Sequence, residues 1–171
     1  MDKNAIKKFA VWAREELIKR VSQRAMKYGI EEGKPFDLDV DSANGEVLTP
    51  VEKEQRRALA EDIKSKGYQH VIDEVAYTWF NRFVALRFME VNNYLPTRVR
   101  VFTNAENKLE PQILEEALHL ELDGLDMEKV YQYKNNNDKE GLYKYLLTMQ
   151  CYALHEILPI MFPSKKRADY T

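Results

Sequence analysis

His70-Val-Ile-Asp-Glu-Val-Ala-Tyr-Thr-Trp-Phe-Asn-Arg-Phe-Val-Ala-Leu-Arg-Phe-Met-Glu-Val-Asn92 decides how this chain folds. The stretch is apolar almost all the way round a helix, with Asn81, Arg82, Arg87 and Glu90 as interruptions. A helix without a polar face must be covered on most sides, so residues 70–92 are expected to form a central buried post. Charges carried into such a post must be paired or must emerge where something binds. Arg87 and Glu90 stand three apart on one face and suit an internal ion pair. Glu74 or Asp73 could meet Arg82 through another helix, and the other reading has Arg82 protruding to a partner or a phosphate.

Helical patterns extend outward from the post. Ile6, Phe9, Ala10, Ala13, Leu17, Val21 and Ala25 recur at steps of three and four, predicting a first helix from Asn4 to about Tyr28, with Gly29 as its stop. Thr49-Pro-Val-Glu52 has the form of a capping box with proline in the first turn, opening a second helix that Gly67 ends. Pro111 starts a fourth helix through about Leu120. Asp126 caps a shorter fifth, and Asp138 caps a sixth closed by Pro159. Two stretches carry strand-like alternation. Phe36, Leu38 and Val40 alternate with aspartates ahead of Asn44-Gly45, which fits a short strand or hairpin and fits an ordered loop equally. Val99 and Val101 alternate with Arg98 and Arg100 as in a short edge strand. The expected fold is mainly α: about six helices around the post, with at most a small β element near 36–48 or 98–102, as one domain over residues 1–171.

Composition narrows the function classes. The net charge is −2, against a free-standing, strongly basic nucleic-acid binder, though residues 1–103 carry +2 and residues 104–171 carry −4. Cys151 is the only cysteine, which excludes an intrachain disulfide. His70, His119 and His155 fall on separate predicted helices, and no ligand spacing joins them to a carboxylate, so no metal site is expected. The chain holds no Gly-x-Ser-x-Gly, no Gly-x-Gly-x-x-Gly and no phosphate loop. It also lacks a secretory leader and any run of about 20 apolar residues, so a cytoplasmic protein without membrane contact is expected.

The candidate contact residues are arginines. On an extended segment Arg98 and Arg100 would project from one face about 6.5–7 Å apart, close to the spacing of successive phosphates on a nucleic-acid strand. Arg56, Arg57 and Arg82 are further candidates for a DNA or partner contact. Edge-strand charges are the plainer account of Arg98 and Arg100, solvated helix faces that of Arg56 and Arg57, and an internal ion pair that of Arg82.

The stretch from Gly67 to Pro96, the opening Ile6-Lys-Lys-Phe-Ala-Val-Trp-Ala-Arg14 and the late Leu154-His-Glu-Ile-Leu-Pro-Ile-Met-Phe162 resemble the start of the large adenine-specific DNA methyltransferases of BREX phage-exclusion systems, the PglX type. The resemblance implies a non-catalytic N-terminal helical domain. It would brace the catalytic core, perform no chemistry itself, and have DNA, the downstream methyltransferase domain and other defence subunits as partners. It also implies that S-adenosylmethionine is bound by the full-length protein through a loop and an Asn-Pro-Pro-aromatic motif. Neither occurs in these 171 residues, so no catalytic or cofactor residue carries over. The polar tail 164–171 has no ending signal, which suits a polypeptide that continues, with an apolar patch exposed where the missing part docks.

Overall fold

The computed structural model describes residues 2–164 and Tyr170. Among them the elements run α1 (Lys3–Lys27), β1 (Ser42–Ala43), β2 (Glu46–Val47), α2 (Pro50–Lys66), α3 (Tyr68–Val91), α4 (Gln112–Glu115), α5 (Met127–Asn135) and α6 (Lys139–His155). The mainly helical reading with a small β element is therefore correct. The tail reading falls mostly on residues outside those described.

The described residues fall into two compact units, residues 2–81 with Tyr170 and residues 82–164. In the first, Asp2 caps α1 by accepting from the N–H groups of Asn4 and Ala5. The core gathers Ala25, Ile30, Leu59, Ile63, Val71, Ile72 and Val75, with Trp79 and Tyr170 packed against it. Tyr170 also donates its hydroxyl to Asp62. The expected stripe of α1 is buried only at Ala13 and Ala25, while Ile6, Phe9, Val11 and Trp12 near its start are exposed. Asn44 and Gly45 both take positive φ, 51° and 84°, as a two-residue type I′ hairpin requires. They pair Ser42 with Val47 and Ala43 with Glu46. The hairpin half of the open alternative is thus the observed one, although Phe36–Asp41 lies outside any strand.

Thr49 and Glu52 form the predicted capping box, and Gly67 ends α2 at φ 89°. Arg56 is buried within this helix. Its Nε donates to Tyr28 O and its Nη1 to Asp37 O and Leu38 O, each at 2.9 Å. One guanidinium thereby satisfies three carbonyls of the 28–38 segment, which has no ladder of its own.

The second unit packs α6 against α4 and α5. Its core gathers Leu86, Leu95, Val101, Ile113, Ala117, Val130, Leu142, Leu146, Leu154 and Phe162. The fourth helix is shorter than expected and gives way to turns after Glu115, yet Ile113, Ala117 and Leu120 are all buried. Gly141 lets the start of α6 approach α5, since a Cβ there would lie 2.3 Å from Asp138 Oδ2 and 2.7 Å from Tyr133 Cε1.

α3 supplies Val71, Ile72 and Val75 to one core and Leu86 to the other. The burial on most sides expected of residues 70–92 is not observed. Tyr77, Val84, Phe88 and Val91 are exposed. An apolar residue on a helix shows what wants cover, and only tertiary packing decides which faces receive it.

Candidate functional site

The clearest local organisation lies where α3 ends. Asn93 takes φ 60° and Tyr94 N–H returns to Met89 O at 2.8 Å, while Asn93 N–H reaches Glu90 O. This is the Schellman arrangement, which stops the helix and turns the chain back on itself. Glu90, buried in the last turn, holds the segment that follows. Its Oε2 accepts the N–H groups of Val101 at 2.9 Å and Phe102 at 2.8 Å. Its Oε1 accepts from Arg87 Nη1 and from Thr103 Oγ1. The Arg87–Glu90 pair read from the sequence is present.

The expected strand over 97–102 is absent. Successive N–H groups of a strand point to opposite sides, whereas Val101 and Phe102 both point at one carboxylate oxygen, as in an anion nest. Arg98 sits at φ 55°, which also breaks an extended run. The remaining backbone groups are taken up separately: Arg100 N–H by Gln112 Oε1, Arg100 O by Ile113 N–H and Val101 O by the Tyr143 hydroxyl. The 6.5–7 Å repeat drawn for Arg98 and Arg100 is therefore not realised.

The five candidate arginines differ in what surrounds each of them. Arg56 and Arg82 are buried, and Arg82 Nε donates to Met161 O at 2.7 Å. The carboxylates suggested for Arg82 are engaged elsewhere, Asp73 with Arg14 and Glu74 with Lys66. Arg100 donates to Asn104 O and to Asn107 Oδ1. Arg57 is exposed between Asp39 and Glu61. Arg98 is exposed, and its guanidinium makes no hydrogen bond or ion pair among the described residues.

Among the described residues, the titratable groups sit in separate surroundings. Burial pushes the Cys151 thiol up to about 11, against the pull of nearby Arg82, so it stays protonated at neutral pH. Burial likewise raises the Tyr143 phenol, with Glu90 adding to the effect. His155 Nδ1 lies 2.9 Å from Phe162 O, and His119 Nδ1 lies 4.0 Å from Glu116. Among the described residues, no group of three His, Cys, Asp or Glu side chains is placed to hold a metal ion, and no helix is long and apolar enough to cross a membrane. A shallow cleft of about 360 Å³ beside the start of α6 is lined by Leu114, Tyr133, Asn137, Asp138 and Leu142 among others, a mixed wall without a reactive pair.

The "Adenine-specific methyltransferase PglX" of Lacticaseibacillus casei (strain Zhang) is 35% identical over 186 residues, taking in 95% of this chain and 16% of that protein. The chain resembles a segment of a PglX-type methyltransferase. The "Adenine-specific methyltransferase BrxX" of Escherichia coli O9:H4 (strain HS) is 30% identical over 174 residues, again 95% of this chain but 14% of its own length. No family model matches the sequence. The chain thus spans about a sixth of the PglX protein, or less in the BrxX case. The features that sequence reasoning missed are the Glu90 nest and which side of α3 stays uncovered. Glu90 was visible as a charge in an apolar helix, but its bonding to residues 101–103 had no sequence signal.

Proposed function

We propose that this chain is the non-catalytic N-terminal segment of a PglX-type adenine-specific DNA methyltransferase in a phage-defence system, where it braces the methyltransferase portion of a longer polypeptide. The observation that carries the reading is the pair of coverages. Nearly the whole chain matches, while most of each relative lies outside the match. S-adenosylmethionine belongs to the remainder in this reading. A nucleotide-like cofactor is cradled by a glycine-rich turn between a full strand and a helix. The strands here are two residues each and are joined by a hairpin turn, so the residues present do not fit that cofactor. DNA is the substrate of the whole protein, and Arg98 is the side chain assigned to a backbone phosphate because it is exposed and unengaged. A second reading, a protein-interaction module of the defence complex without DNA contact, is favoured by the internal bonding of Arg56, Arg82 and Arg100.

The test compares the full-length polypeptide with a version lacking these 171 residues, and the 171 residues alone, for adenine methylation of duplex DNA. The full-length protein methylates; the shortened one is impaired and less stable; the segment alone is inactive. Undiminished methylation by the shortened protein overturns the bracing role, and methylation by the segment alone overturns the non-catalytic reading. For the DNA contact, Arg98→Ala in the full-length protein lowers the slope of log K against log salt by about 0.9, the share of one phosphate. An unchanged slope selects the interaction module.

A further inference from the structure

α3 presents Val84, Phe88 and Val91 at steps of four and three, one continuous stripe along a helix. They are 49%, 58% and 45% exposed, and Tyr94 beside them is 63% exposed. The Schellman turn accounts for Tyr94 lying against Phe88, with ring centroids 6.0 Å apart. It does not cover either ring. No residue of the stripe is charged, and the flanking Arg87 is bound to Glu90. With that flanking cation already neutralised by Glu90, the stripe offers phosphate no free charge, so nucleic acid is the wrong occupant. An apolar protein surface is the right one.

We propose that this stripe is the docking face for an apolar surface from the remainder of the same PglX-type polypeptide. The proposal rests on the functional reading above, and two quantities select this occupant over a separate chain. Three helical side chains and one tyrosine offer an area of a few hundred Å², whereas a stable association of separate chains needs about 800 Å² per partner. A tethered partner acts at an effective concentration in the millimolar range, where a small face suffices. The relatives supply that partner, with roughly five-sixths of their length outside the match.

Thiol labelling tests this. Cys151 is buried, so Val91→Cys introduces a single reactive thiol into the segment. Glu128→Cys, at an exposed site on α5, is the control. Tyr94→Cys is a second reporter if Val91→Cys folds poorly. Maleimide labelling, read site by site by peptide mass spectrometry, is expected to be about tenfold slower for Val91→Cys in the full-length polypeptide than in the 171-residue chain, with the control unchanged; tenfold corresponds to about 1.4 kcal/mol of docking. Equal labelling in both overturns the proposal. So does slowing in the 171-residue chain that grows with its concentration, which assigns the face to a second copy. Slowing in the long polypeptide only after another subunit is added assigns it to that subunit and overturns the proposal as well. Adenine methylation by the same full-length preparation reports separately on the functional reading, so the two can fail independently.

Discussion

Glu90 Oε2 accepts the backbone N–H of Val101 at 2.9 Å, fastening the end of α3 to a segment with no secondary structure of its own. The carboxylate is buried and also receives Phe102 N–H, Thr103 and Arg87. Removing it leaves two main-chain donors without a partner in the core and frees Arg87 from its counter-ion. Glu90→Ala is therefore expected to cost about 2–4 kcal/mol, chiefly from stranded main-chain donors worth about 1–3 kcal/mol each. Glu90→Gln, which keeps the shape and one acceptor, should cost less. Urea unfolding monitored by fluorescence measures both. A loss under 1 kcal/mol for the alanine variant would show that the nest contributes little.

Arg56 is expected to be irreplaceable by lysine. Its fork meets the carbonyls of Tyr28, Asp37 and Leu38 at once, and an ammonium on a flexible stem cannot span the same three acceptors. Each bond to a charged group is worth about 1.5–3 kcal/mol, so Arg56→Lys should destabilise the first unit by roughly 2 kcal/mol. Hydrogen exchange of residues 28–40 should accelerate in step. Unchanged exchange there would mean that the segment is held by its apolar contacts alone.

Thr49 and Glu52 give a pH dependence with a definite sign. The Thr49 N–H and hydroxyl hold the Glu52 carboxyl below its ordinary value. A depressed carboxylate stabilises the folded state above its unfolded pKa, about 4.3. That stabilisation is lost as pH falls through the lower folded value. Thr49→Ala should cost about 1 kcal/mol at neutral pH and flatten the decline in stability below about pH 4.3. A variant whose acid limb retains the wild-type slope would contradict this.

Cys151 acts at the other end of the scale. Its thiol ionises near 11 when folded and near 8.5 when unfolded. A raised pKa contributes stability that is complete below the unfolded value and is lost as pH rises through the folded one. Cys151→Ala should thus show less alkaline destabilisation between about pH 8.5 and 11 than the native chain, and the native thiol should resist aromatic disulfide reagents at pH 8 until the chain unfolds. Rapid labelling of the native chain would mean that Cys151 is accessible.

Gly141 sets a packing limit between α5 and α6. Alanine in a helix interior normally gains about 1 kcal/mol over glycine. Here its Cβ would displace the Asp138 cap or the Tyr133 ring, costs of about 1 kcal/mol and about 1–3 kcal/mol. The clash outweighs the propensity, so Gly141→Ala should lower the midpoint of thermal unfolding. A raised midpoint would show that both groups move aside freely.

Features fixed by neighbours in sequence were legible. The capping box at Thr49, the stop at Gly67, the turn at Asn44-Gly45 and the Arg87–Glu90 pair each need residues a few positions apart and little else. The strand over 97–102 failed because alternation records side-chain polarity and does not supply a neighbouring strand. The candidate arginines were equally opaque, since Arg56 and Arg98 read alike as cations in a line of text. Burial gives one to three carbonyls and leaves the other at the surface.

The sequence by itself determined that this protein is helical, where most of its helices start, and which family of methyltransferases it resembles, because local hydrogen bonding and apolar periodicity are written into adjacent residues. Only the tertiary structure decided which apolar sides are covered. Glu90 bonds to a backbone eleven residues away, and Phe88 stays bare two residues from buried Leu86, because cover depends on what long-range packing brings near.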